Sequence, residues 1–192
     1  MRGRTAGQFG RMTINTRCAA ALLAAALLGG CAAGPGSVSK TADLSIDRAH
    51  GLALVNAFRA ENGLGPLTVD ERLMKAAAAQ SEAMAGRDKM DHAVAGALPG
   101  RVERAGYHWG TTAENIGRGY KDYDAAMVGW INSPGHRRNL LNPKVTQIGF
   151  AGAQAVGSPR AYWAQILATP GRERTPVSAE RPMRWGSELR FP

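Results

Sequence analysis

Three short segments hold the residues whose types could do chemistry: Met90-Asp91-His92, Ala113-Glu114-Asn115-Ile116 and Ser133-Pro134-Gly135-His136. Two neutral imidazoles and a carboxylate are a donor set for zinc or another divalent metal, with a fourth position left for water. The same groups could serve as general acid and base in a polar cleft. His92 and Glu114 lie 22 residues apart, as do Glu114 and His136, which is no local metal signature. The set therefore acts only if the fold gathers it; otherwise each side chain satisfies nearby loop backbone. His136 follows Pro134-Gly135, a pair that predicts display from a turn after a helix ending near Asn132. Ser81 and Ser133 are weaker candidates as nucleophiles, because neither sits in a nucleophile-elbow pattern.

The elements that must position these residues follow from caps and periodicity. A first helix is expected from Ser45 or Asp47 to Asn62, stopped by Gly63. Thr68-Val69-Asp70-Glu71 matches a capping box opening a second helix over residues 70–85. A short helix is expected over 100–105, an extended segment over 111–116, and a helix over 123–132 capped by Asp122. Residues 147–155 and 161–168 read as two strands joined by a turn at Gly157-Ser158-Pro159. Helices early and a hairpin late predict an α+β fold with helices packed on a small antiparallel sheet.

The ends of the chain carry different information. Arg2, Arg4, Arg11 and Arg17 precede an apolar run over 19–28, followed by Gly29-Gly30-Cys31. Basic flank, short apolar core and small residues predict an export signal over residues 1–30, starting at Met1 or Met12. Its ending resembles a bacterial lipobox, which implies lipidation of Cys31, an anchor in a membrane and a place in the cell envelope. Residues 31–46 are expected as a flexible tether, 47–169 as the folded domain and the Pro/Arg-rich 170–192 as a disordered tail. Cys18 falls in the export segment and Cys31 at the anchor, so the domain must hold together without disulfides. The chain carries 24 Lys and Arg against 15 Asp and Glu, and four of those cations lie in the export segment. The remaining surplus is modest. It favours anionic surfaces such as lipid headgroups or acidic wall polymers, and nothing in the sequence is a nucleic-acid motif.

A resemblance joins these pieces. Leu54-Val55-Asn56-Ala57-Phe58-Arg59, then Gly63-Leu64-Gly65-Pro66-Leu67, resembles the opening of the CAP superfamily: cysteine-rich secretory proteins, antigen 5 and plant pathogenesis-related proteins of the first class. Arg101 to Tyr107, Ala113 to Ile116, Trp130 to Pro143, Gln147 to Phe150 and Tyr162 to Gln165 recur in the order seen in bacterial members. The resemblance covers residues 47–168 and implies a three-layer α-β-α sandwich with a small, mostly antiparallel central sheet. It also implies a cleft in which His92, Glu114 and His136 occupy the places of the first histidine, first acid and second histidine. The second acid is replaced by Ser133, which removes a metal ligand and a compensating charge. Asp91 is a stand-in only if adjacent residues point the same way. Asn115 and Asn139 are expected to fasten loops, Trp130, Tyr162 and Trp163 to build core or cleft wall, and His50 and His108 have no assigned role.

Three functions are compatible with this reading. The favoured one is a monomeric, non-catalytic envelope module binding a lipid or wall-derived ligand. The second is a metal-assisted hydrolase using His92, Glu114 and His136, and the third a structural interaction protein.

Overall fold

The computed structural model describes residues 38–172. The sequences read as the export segment, Cys31 and all but the first three residues of the tail lie outside them. In chain order the elements are β1 (Thr41–Leu44), α1 (Arg48–Glu61), β2 (Thr68–Val69), α2 (Glu71–Gly86), α3 (Leu98–Arg104) and β3 (Trp109–Arg118). They continue with α4 (Tyr123–Asn132), α5 (Pro134–Leu140), β4 (Gln147–Ala155) and β5 (Ala161–Pro170). The strands form one open sheet in the order β1-β4-β5-β3, antiparallel throughout, with β2 added in parallel to β4.

The period of two along β5 explains why the sheet carries helices on both faces. Ala161, Trp163 and Leu167 join a core with Val55 and Phe58 of α1, Met127 and Trp130 of α4 and Leu140 of α5. Tyr162, Ala164, Ile166 and Ala168 join a second core with Leu73, Ala77 and Met84 of α2 and Val102 of α3. Residues 161–168 are all buried, as expected of a strand covered on both sides. This is the α-β-α sandwich that the resemblance implied.

Local chemistry sets the helix ends. Asp47 caps α1 by accepting from the backbone N–H groups of Ala49 and His50 at 2.9 and 3.1 Å. At the other end Gly63 has φ +73°, its N–H reaches the Ala60 carbonyl and that of Leu64 reaches Arg59. That pair of bonds is a Schellman motif, so Gly63 stops the helix as expected. Asp122 caps α4 through the Ala125 N–H at 2.8 Å.

Four expectations need correction. Residues 41–44, placed in the tether, form β1, which pairs with residues 152–155 of β4 and satisfies that strand's outer edge. Thr68 does not cap α2. Its N–H bonds to the Thr146 carbonyl within the sheet, and Asp70 takes the cap by accepting from the Arg72 N–H at 2.9 Å. The short third helix begins two residues earlier than expected, at Leu98, with Pro99 in its first turn. Most importantly, His136 is not displayed from a turn. Pro134 opens α5, where its missing N–H costs no helical bond, and His136 lies in the first turn of that helix.

Candidate functional site

β3 is the outer strand of the sheet, and the site straddles its free side. Residues alternate across it: Glu114 shares the α2–α3 face with buried Ile116, while Asn115 points to the α4–α5 face. The segment joining α2 to α3 brings His92 over the first face, and α5 brings His136 over the second. The fold thus joins His92 to Glu114 from segments far apart in the chain, while His136 lies across the strand, where its main-chain carbonyl accepts from Asn115.

Two side chains fasten the exposed edge. Asn139 of α5 donates to the Glu114 main-chain carbonyl at 3.1 Å and to Asn115 Oδ1 at 2.9 Å. Trp130 Nε1 of α4 donates to the Ile116 carbonyl at 3.1 Å. Asn115 in turn donates to the His136 carbonyl at 3.3 Å and to Gln165 Oε1 at 3.0 Å. The Glu114 and Ile116 carbonyls, to which a neighbouring strand would otherwise donate, are capped from within, which blocks further pairing there. Asn115 and Asn139 therefore hold backbone, and Trp130, Tyr162 and Trp163 are core residues at 2% exposure or less.

The carboxylate is the most constrained group. The Glu114 side chain is 2% exposed, and both its oxygens are engaged. Oε1 accepts from His92 Nδ1 at 3.1 Å, and Oε2 accepts from Arg101 Nη2 of α3. Arg101 is equally buried and also donates from Nη1 to the carbonyls of Gly96 and His92, at 2.8 and 3.2 Å. Burial, aided by the Arg104 charge, pulls the Arg101 guanidinium down to about 10, still far above neutral pH. It is a fixed cation beneath the site. Sequence reasoning quoted Arg101 within a motif yet gave it no role, since no local signal says that its head group reaches Glu114.

The two imidazoles differ. The His92 side chain is 61% exposed, and with Nδ1–H committed to Glu114 its Nε2 is the free edge. His136 is half-buried; its Nδ1 is buried without a partner. Burial first, and the His92 charge second, hold the His136 imidazole below its ordinary range. Asp91 faces neither group, since its carboxylate accepts from the Ala93 N–H at 2.8 Å and from Lys89 Nζ at 2.7 Å. Ser81 Oγ donates to the Ala78 carbonyl inside α2, and Ser133 occupies the N-cap position of α5 without a capping bond. His50 bridges α1 and α4 by pairing Nε2 with both oxygens of Asp124 at 2.9 and 3.0 Å.

Among the described residues no three His, Cys, Asp or Glu side chains are grouped to hold a metal ion. The donor chemistry agrees: a carboxylate already shared between a guanidinium and an imidazole N–H has no oxygen turned toward a metal. Two surface grooves lie away from the site. One of about 350 Å³ runs between β1, α1 and α2 past Leu44, Arg48, Glu71, Met74 and Phe150. The other, about 760 Å³, is lined by Arg72, Glu103, His108, Trp109 and Arg172.

An open sheet sandwiched between helix layers, with two histidines and a buried acid across its outer strand, defines the CAP architecture. Residues 52–167 match the CAP family, described as the cysteine-rich secretory protein family, and the chain belongs to it. Over 98 residues it is 40% identical to the uncharacterized protein YkwD of Bacillus subtilis, covering 50% of this chain and 38% of that one. Over 116 residues it is 35% identical to the uncharacterized membrane protein YlbC of the same organism, covering 59% and 32%. The chain thus spans well under half the length of these relatives. An extracellular SCP-domain protein from Bacillus anthracis superposes with a TM-score of 0.56 at 28% identity, covering 62% of this chain and 39% of that one. An outer surface protein from Borrelia burgdorferi shares the fold, with a TM-score of 0.61 at 16% identity over 69% of this chain and all of that one. The last two are described as an extracellular and an outer surface protein. No helix among the described residues is long and apolar enough to cross a membrane.

Proposed function

We propose that this is an exported envelope protein, anchored through a lipid on Cys31, whose CAP domain binds a lipid or wall-derived ligand without chemical turnover. The observation that carries the reading is the commitment of Glu114 to Arg101 and His92. A carboxylate so held is poorly suited to take a proton from water or to hold a metal. What the site offers a ligand is hydrogen bonding at the outward Nε2 of the exposed His92. The exposed Arg138 follows in the same helix as His136 and favours an anionic head group.

The test is thermal stability of the purified protein against envelope lipid extracts and wall fragments. A rise in melting temperature with one fraction, lost in a His92→Ala/His136→Ala variant, supports binding at this site. No shift with any fraction overturns it. Substitution Cys31→Ser is expected to release the protein from the membrane fraction, and retention of that variant would remove the anchor from the proposal.

A further inference from the structure

The His92–Glu114 pair has the outline of half a metal site, with a cation already against it. Metal-bound histidines commonly give their second N–H to a carboxylate, which fixes the ring. Here the carboxylate–histidine half of that arrangement is present, with Glu114 Oε1 accepting from His92 Nδ1. Where a positive ion would neutralise the acid, Arg101 presents Nη2 to Oε2. A carboxylate at 2% exposure needs such a partner, because an unpaired buried charge is strongly destabilising. Arginine is the one side chain that supplies the charge at every accessible pH.

We propose that Arg101 is the resident cation of this site. It takes the electrostatic place of a divalent ion, excludes that ion from Glu114 and acts as a positioning residue for His92. Two contacts make the positioning direct. Arg101 Nη1 holds the carbonyls of His92 and Gly96, so one guanidinium fixes both the backbone that carries the imidazole and the carboxylate that orients it. His92 is held with Nδ1–H inward and Nε2 outward, a single tautomer presented to solvent. The inference concerns the site's own construction and stands whatever ligand the cleft takes.

The experiment combines zinc titration with proton–nitrogen spectra of the histidine rings, on the wild-type protein, Arg101→Lys and Arg101→Gln. Wild type is expected to show the Nδ1–H tautomer at His92 and no zinc-dependent change at the His92 or His136 rings. Arg101→Gln keeps hydrogen-bond donors but loses the charge. It is expected to bind zinc at least about tenfold more tightly than wild type, with changes at the His92 ring that vanish when Glu114→Gln is added. Arg101→Lys restores the cation and is expected to exclude zinc again, a rescue that a packing role alone does not predict. Glu114-dependent zinc binding by wild type, an Nε2–H tautomer at His92, or a folded Arg101→Gln protein with no gain in affinity would each overturn the proposal. Should Arg101→Gln fail to fold, the wild-type tautomer and its response to zinc decide the matter alone.

Discussion

Substituting Glu114→Gln removes one charge from the buried pair and keeps the shape of the side chain. The loss is then electrostatic. Arg101 stays 2% exposed with its bonds to His92 and Gly96 intact, and it cannot shed its proton. Burial, with the Arg104 charge second, holds its pKa down at about 10, as expected of a cation taken out of water. Removing one member of a buried ion pair costs about 3–5 kcal/mol in general, and the loss expected here is of that size. A domain of this size has about 5–15 kcal/mol of stability in total, and the variant should fold but with a large deficit. The assay is urea unfolding at neutral pH, reading the midpoint and slope separately. A midpoint shift worth less than about 1 kcal/mol at unchanged slope would refute the reasoning, because exposed pairs give values of that size. A second arm isolates the pair: Arg101→Met/Glu114→Leu should be more stable than Glu114→Gln, since an apolar pair leaves no buried charge.

Three further outcomes follow from the same geometry. Gly149→Ala should destabilise the fold by about 3 kcal/mol or more, because its Cβ would lie 2.1–2.5 Å from backbone atoms of Leu73 and Met74 in α2; urea unfolding checks this, and a near-neutral effect would show that α2 can lift off β4. Asp70→Ala should cost about 0.5–2 kcal/mol and Thr68→Ala less, since Asp70 holds the α2 cap; equal losses would restore the cap to Thr68. In an NMR titration His50 should protonate above the ordinary imidazole value, held up first by its hydrogen bond to Asp124, and His136 below it. The signs are opposite in stability. The His50 pair contributes fully below the unfolded-state pKa and is lost as pH rises through the raised folded value, whereas the His136 contribution is present above the unfolded-state pKa and is lost as pH falls through the lowered one. Reversed order of the two resonances would contradict the contacts assigned to both rings.

The legible parts of the fold share a cause: each rests on interactions within a few residues. Asp47 and Asp122 reach N–H groups two or three positions on, Gly63 supplies its own left-handed turn, and β4 and β5 show their period of two directly. The misread parts depend on what lies across the sheet. Thr68-Val69-Asp70-Glu71 fits a capping box locally, and only the free edge of β4 draws Thr68 into a strand. Residues 41–44 look like tether until the other stretch of that edge is there to pair with them. Pro134-Gly135 is a turn signal and equally a helix start, and the bonds from α5 to β3 favour the helix.

By itself the sequence determined the family, the order of most elements and the three segments that hold His92, Glu114 and His136. Short-range caps, periodicity and ordered motifs carry that much. Tertiary structure decided what those residues are to one another. Glu114 read alone is a free acid and a metal ligand. Arg101, 13 residues earlier in the chain, reaches it only because α3 packs on the face of β3 that Glu114 shares. Charge compensation in a buried site is a matter of distance in space, which spacing along the chain does not record.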